Sequence, residues 1–227
     1  MKNISFNDLE LVIFDVDGTL YNQSLLRKKM LFSLASYFLF RPWKISELQI
    51  LYHFRKEREK KAGFSGPDLA EQQYLWCQKK VNKPIEKIKE IVNKWIFNIP
   101  MQFLRECSYP GIHFFFDTLT RKNIRIAIYS DYNSLDKLNT LGLHGDLLVS
   151  STDANINAMK PNSKGLNFIK SKLNVSDGSK CLFFGDRIEL DGECAENAQI
   201  PFFLVERKAA ANSLYKNLAE EILNKKI

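Results

Sequence analysis

Histidine and cysteine are both scarce in this 227-residue chain, at three and four residues. His53, His113 and His144 match no catalytic spacing, so neither a Ser/His/Asp nor a Cys/His nucleophile system is indicated. Cys77, Cys107, Cys181 and Cys194 include no C-x-x-C pair, which removes a zinc site of the usual spacing. Glycine is limited to ten residues, and neither Gly18 nor Gly185 belongs to a G-x-G-x-x-G dinucleotide loop. An EF-hand around Asp15 fails as well, since that loop needs an acid at its twelfth position and Leu26 stands there. No repeat or low-complexity linker divides the chain. The uncharged stretch Met30–Phe40 is far shorter than the roughly 20 residues that cross a bilayer. With its flanking cations it is expected to form a buried helix, a membrane-surface helix being the lesser alternative. Zinc-finger, helix-turn-helix and RNA-binding aromatic signatures are missing, so the net charge of +7 is expected to be mostly solvated surface, with no nucleic-acid partner. With no signal peptide in view, a reducing cytoplasm is the expected location.

What is present is an ordinary globular composition, 45% hydrophobic and 26% charged, with 17 phenylalanines, many of them inside the apolar runs. From Gly111 onward strand and helix patterns alternate. Ile112, Phe115, Phe116 and Leu119 have helical spacing, and Ile124, Ile126 and Ile128 alternate along a strand that ends at Ser130. Helix is expected at Leu135–Leu141, stopped by Gly142, strand at Leu147–Val149, and helix at Pro161–Leu173. Strands follow at Cys181–Phe184 and Pro201–Val205, and a last helix at Ala209–Leu223. This alternation points to an α/β fold with a Rossmann-like parallel sheet and helices on both faces. Leu11–Phe14 supplies its first strand. Between Leu20 and Cys107 only amphipathic helices are legible, over Ser24–Phe40, Ile45–Lys61, Pro67–Lys80 and Pro84–Phe97. The expected organisation is a core of residues 1–20 and 108–227 interrupted by an α-helical cap domain at 21–107.

Parallel sheets present their chemistry at the carboxyl ends of the strands. The first strand runs into Asp15 and Asp17, two apart and followed by Gly18. Carboxylates at a buried strand end cost several kcal/mol unless a cation or donors compensate. Later strand ends bring Ser130 and Asp131, then Lys160-Pro161, then Gly185-Asp186 with Glu189 and Asp191 behind. Acids, a hydroxyl and a lysine around one crevice suit phosphoryl transfer. Asp15 and Asp186 offer oxygens to a hard divalent cation such as Mg2+, and Lys160 would offset charge on the transferring group.

Asp15-Val-Asp17-Gly-Thr-Leu20 resembles the first motif of the haloacid dehalogenase superfamily, in its phosphatase branch. Ser130 resembles the second motif, Lys160-Pro161 the third, and Gly185-Asp186-Arg-Ile-Glu-Leu-Asp191 the acidic fourth. The resemblance covers essentially the whole chain, and the helical insert sits where many members carry a cap. It implies Asp15 as nucleophile of an aspartyl-phosphate intermediate and Asp17 as general acid and base. It implies Mg2+ held by the side chains of Asp15 and Asp186 and the main-chain carbonyl of Asp17. Ser130, Lys160 and the Asp131 N–H would hold phosphoryl oxygens, and Asp191 would act behind them, through water or Lys160. Dehalogenases of the superfamily lack the second acid, so Asp17 favours phosphomonoester hydrolysis.

The expected substrate is a small phosphorylated metabolite. A phosphomutase of the same superfamily, or a docking protein acting on a lipid-linked phosphate, are the alternatives. The basic run Arg55–Lys61 is expected to be a solvated helix face, or else to send one cation to an anionic substrate. Gly63-Phe64-Ser65-Gly66 is expected to be a mobile loop over the site.

Overall fold

The computed structural model describes residues 8–224. The outermost parts of the expected core, residues 1–7 and 225–227, lie outside the described residues. Five parallel strands form one sheet: β1 (Leu11–Phe14), β2 (Arg125–Ser130), β3 (Leu147–Ser150), β4 (Cys181–Gly185) and β5 (Phe202–Leu204). Their order is β3-β2-β1-β4-β5. β1 is central, with Leu11 in register with Arg125 on one side and Cys181 on the other.

Both faces of the sheet are covered, which explains why β1 is a continuous apolar run. Val12 and Phe14 point into one cluster with Ile126, Ile128, Leu182 and Phe184. Leu11 and Ile13 point into the other with Ala127, Tyr129, Cys181 and Phe183. The first face is packed by α6 (Ile112–Arg121), α7 (Leu135–Leu141) and α11 (Leu214–Asn224), the second by α8 (Lys164–Lys172) and α9 (Glu193–Asn197). Phenylalanine carries much of this packing: the Phe14 ring stacks on Phe116 and Phe184 at centroid distances of 4.7 and 5.0 Å. The four cysteines are all free and buried.

The insert leaves and re-enters the sheet domain side by side. Asn22 N–H donates to the Cys107 carbonyl and Tyr109 N–H to that of Leu20, at 2.8 and 3.2 Å. Between these points run α1 (Gln23–Phe40), α2 (Ser46–Glu59), α3 (Leu69–Val81), α4 (Ile85–Val92) and α5 (Met101–Leu104). α2, α3 and α4 enclose their own apolar cluster around Phe54, Cys77, Ile88 and Trp95. Within it the buried Glu47 carboxylate accepts a 3.2 Å hydrogen bond from Trp95 Nε1.

Some elements depart from expectation. The Pro84–Phe97 helix stops at Val92 and opens into a wider π-type turn over Asn93–Asn98. Helix α8 begins at Lys164 rather than Pro161, where the Asn162 side chain accepts from Lys164 N–H at 2.9 Å. The expected last helix is two pieces, α10 (Arg207–Asn212) and α11, broken at Ser213, which has extended φ of −138°. The Gly63–Gly66 loop is tied down: Gly63 N–H donates to the Lys160 carbonyl, Met159 N–H to that of Phe64, and Gly66 N–H to that of Asn157. Those bonds correct the expectation of a mobile loop, and fasten the insert beside Lys160.

Candidate active site

Strand order reverses between β1 and β4, and the crevice outside the carboxyl ends there is the natural place for a site. The expected residues converge on it. Asp15 follows β1 directly and its N–H donates to the Phe184 carbonyl of β4 at 2.8 Å. The Lys160 ammonium lies 2.7 Å from Asp15 Oδ1 and 2.8 Å from Asp191 Oδ1. Thr19 Oγ1 donates to the other Asp15 oxygen at 3.2 Å. Lys160 is buried over the rings of Tyr129 and Phe183. Burial disfavours its charge, but Asp15 and Asp191 outweigh that and hold the ammonium well above its ordinary pKa.

Asp186 and Asp191 come from the turn after β4. Carboxylate oxygens of Asp15, Asp186 and Asp191 all lie within 4.8 Å of one another. Two glycines make this crowding possible. A Cβ on Gly18, which has φ of +97°, would sit 2.1 Å from Asp186 Oδ2. A Cβ on Gly185 would meet the Asp191 Cβ at 2.4 Å. Burial, then the charge of Asp191, push the Asp186 carboxyl up to about 6, against the pull of Lys160 and Arg187. Burial likewise raises Asp15, which Lys160 only partly offsets while Asp191 and Asp186 add to it. Acids in this condition lack positive charge. An all-oxygen donor set of this size fits a hard divalent cation such as Mg2+. Asp191 already accepts from Lys160 and, through Oδ2, from Arg187 N–H at 3.1 Å. Its oxygens are thus engaged in holding Lys160 and the turn.

Asp17 has different partners. Its Oδ1 accepts from the Tyr21 hydroxyl and the Lys137 ammonium in a short, partly buried ion pair. Burial would raise this carboxyl, but Lys137 and the Tyr21 hydrogen bond prevail and hold it below the ordinary carboxylate value. Two acids two residues apart are therefore in opposite electrostatic conditions. Ser130, buried at the end of β2, accepts from Tyr132 N–H at 3.5 Å. Asp131 accepts from Ser151 Oγ at 3.2 Å through its side chain.

Several groups here escape sequence reasoning. Lys137 is a lysine in a short helix, and nothing in its local pattern marks it as buried. Tyr21 and Thr19 read as turn residues. The Tyr215 hydroxyl of α11 donates to the Thr19 carbonyl from 196 residues away and braces the same turn. Arg58 belongs to the run expected to be solvated, and its neighbours Arg55, Lys60 and Lys61 are exposed. Arg58 itself is buried. It donates to the Asp131 carbonyl at 2.8 Å and to Gln73 Oε1 at 2.5 Å, and its guanidinium lies 4.0 Å from the Tyr132 ring centroid. One residue of that run is therefore not solvated, and its contacts run to the Asp131 carbonyl and Gln73. A cavity of about 540 Å³ opens where α3 and α4 face the segment after β2. Gln73, Lys89 and Asn93 line it from the insert, and Tyr132, Asn133 and Lys137 from the core.

Fold and site together define an α/β enzyme with acids and a lysine gathered at the carboxyl edge of a parallel sheet. The chain belongs to the haloacid dehalogenase-like hydrolases, whose family profile matches residues 9–199. No curated protein sequence matches it significantly. Among solved structures it is similar to a phosphatase of this superfamily from Thermococcus onnurineus, at 18% identity and a TM-score of 0.61, covering 92% of this chain and 98% of the other. It is also similar to a 2-haloacid dehalogenase from Pseudomonas syringae pv. Tomato DC3000, at 14% identity and 0.61, covering 94% and 99%. A β-phosphoglucomutase from Clostridium difficile matches at 15% identity and 0.57, covering 96% and 98%. At these identities the likeness is one of fold.

Proposed function

We propose that the protein hydrolyses a small phosphomonoester through an aspartyl-phosphate on Asp15, with Mg2+ as cofactor. The observation that carries this reading is the unequal treatment of the two acids. Asp15 sits among carboxylates and Lys160, while Asp17, two residues on, is held by Lys137 and Tyr21. A nucleophile beside a separate proton carrier is what two-step phosphoryl transfer requires.

Asp15, Asp186 and the main-chain carbonyl of Asp17 would hold Mg2+, which supplies charge neutralisation on the phosphoryl oxygens when bound. Ser130, Lys160 and the Asp131 N–H orient those oxygens so that the phosphorus faces Asp15. A carboxylate oxygen of Asp15 attacks, and the ester oxygen leaves with a proton from Asp17. Asp17 then takes a proton from water, whose oxygen attacks the phosphorus and frees Asp15 and inorganic phosphate. Lys137 and Tyr21 leave Asp17 ionised at rest, ready for its second role. The first role calls for that ion pair to loosen as substrate enters. Asp191 keeps Lys160 in place.

In this reading residues 1–20 and 108–227 form the catalytic domain and 21–107 the cap. The cavity between α3, α4 and the segment after β2 admits the leaving group, with Asn93 and Asn133 on its wall beside Lys89, which is paired with Glu71. The test is phosphate release from an aryl phosphate and a panel of small phosphorylated metabolites, with and without Mg2+. Metal-dependent turnover lost in Asp15→Asn supports it. No turnover across the panel defeats it, and isomer without free phosphate from a hexose 1-phosphate replaces it with a mutase.

A further inference from the structure

Helix α1 is unusual in being apolar on more than one side. Leu26 and Phe38 are buried, and Met30, Leu34 and Tyr37 pack against the neighbouring clusters. Yet the opposite side carries Leu31, Phe32 and Leu39, and the chain continues with Phe40 and Trp43, all strongly exposed. Phe32 is 76% exposed, and Phe40 and Trp43 are each 74% exposed. Exposed apolar side chains of this size along one segment call for something to cover them.

Charge indicates what. From Gly18 to Ser46 the sequence contains no Asp or Glu, but five cations: Arg27, Lys28, Lys29, Arg41 and Lys44. At the C-terminal end of α1, Arg41, Lys44 and Lys94 gather around the ring of Tyr37, at 5.1, 5.8 and 3.7 Å from its centroid. Beside them is a shallow groove of about 500 Å³, walled by Phe32, Phe40 and Phe103 and edged by Arg41. Apolar rings next to cations match a surface that is apolar inside and anionic at its rim.

We propose that this face docks on an anionic lipid bilayer. Phe32, Phe40 and Trp43 enter the boundary between headgroups and acyl chains, and Arg41, Lys44 and Lys94 meet lipid phosphates. A second copy of the chain fits less well. A two-fold contact through the same face would set its cations against their own copies. Crossing the bilayer is not involved, because no described helix is long and apolar enough for that.

The experiment uses the full chain and vesicles of phosphatidylcholine, with or without about one third phosphatidylserine. Trp76 and Trp95 are buried, so Trp43 is the tryptophan whose emission responds to the surface. The expected result is co-sedimentation with the anionic vesicles and a blue shift of the emission. Both should fade at about 0.5 M salt, where screening is strong. Arg41→Glu with Lys44→Glu should weaken the partition by about tenfold or more, with thermal unfolding and turnover of a soluble aryl phosphate unchanged. Trp43→Ser should remove the blue shift and weaken binding. Absence of binding to anionic vesicles overturns the proposal. So does equal binding to neutral vesicles, or concentration-dependent self-association that shields Trp43 without lipid.

Discussion

Lys137 and Asp17 form an ion pair across 120 residues of sequence, with the lysine buried and the acid three positions beyond the end of the central strand. Its effect is on protons. A buried cation against a carboxylate stabilises the ionised form and lowers the pH at which the acid loses its proton.

Removing that cation gives the first prediction. In Lys137→Met the Asp17 carboxyl titrates higher, since burial then acts without its counterweight. If Asp17 must be protonated to release the alcohol, the alkaline limb of the kcat/KM profile moves up by roughly one to three pH units. Lys137→Arg should keep the limb near its original place. A limb that stays put in Lys137→Met assigns that limb to another group.

A second prediction concerns Asp15. Asp15→Asn retains the shape of the side chain but removes the attacking oxygen. Turnover should fall by at least about a thousandfold. The circular dichroism spectrum should be unchanged, and metal-free thermal stability equal or higher, because one carboxylate of a crowded set is gone. Near-normal turnover would remove Asp15 from the nucleophile's role.

The raised Asp186 carboxyl yields a third. Its folded value of about 6 lies above the ordinary 3.8, so between those values the folded protein holds more protons than the unfolded chain. Stability of the metal-free protein therefore falls as pH rises through that window, and the loss is complete above it. Mg2+ at pH 7 should restore part of it, by a few degrees in Tm, as about 1 kcal/mol corresponds to roughly 2–4 °C at this size. Asp186→Asn should lessen the pH dependence in that window, Asp15 remaining raised, and abolish the Mg2+ effect. Calorimetry across pH decides, and an unaltered Mg2+ response in the variant would place the ion elsewhere.

Gly18 is the subject of a fourth. Gly18→Ala adds a Cβ where Asp186 Oδ2 stands and does so at φ of +97°, a conformation that alanine resists. Asp186 must move. Activity should drop by at least about tenfold, with a higher Mg2+ requirement, since an ångström of misplacement is costly in catalysis. A Mg2+ titration of turnover measures it.

A fifth involves Arg58. Its guanidinium joins α2 of the insert to the Asp131 carbonyl beside Ser130. Arg58→Ala leaves Gln73 Oε1 and that carbonyl without their buried donor, costing about 1–3 kcal/mol of stability. With the insert less firmly seated, KM should rise more than kcat falls. Urea unfolding and steady-state kinetics test the two parts.

The chain's sequence determined the pattern of strands and helices and the position of the insert. It did so because β1 and β4 are short apolar runs that end in glycine and acid, and because the insert lacks any such run. It also determined which acids and which lysine stand at strand ends. Order along a parallel sheet brings Asp15, Lys160 and Asp186 to one edge whatever the loop details. What it left open depends on contacts between distant segments. Buried Lys137 and exposed Lys164 are indistinguishable in local pattern, and so are Arg58 and its solvated neighbours. The pairing of Lys137 with Asp17, the brace of Tyr215 on the Thr19 carbonyl, and the anchoring of Gly63–Gly66 beside Lys160 exist only once the chain is folded. Burial strengthens each charge and each hydrogen bond according to its three-dimensional neighbours, and tertiary structure alone chooses those neighbours.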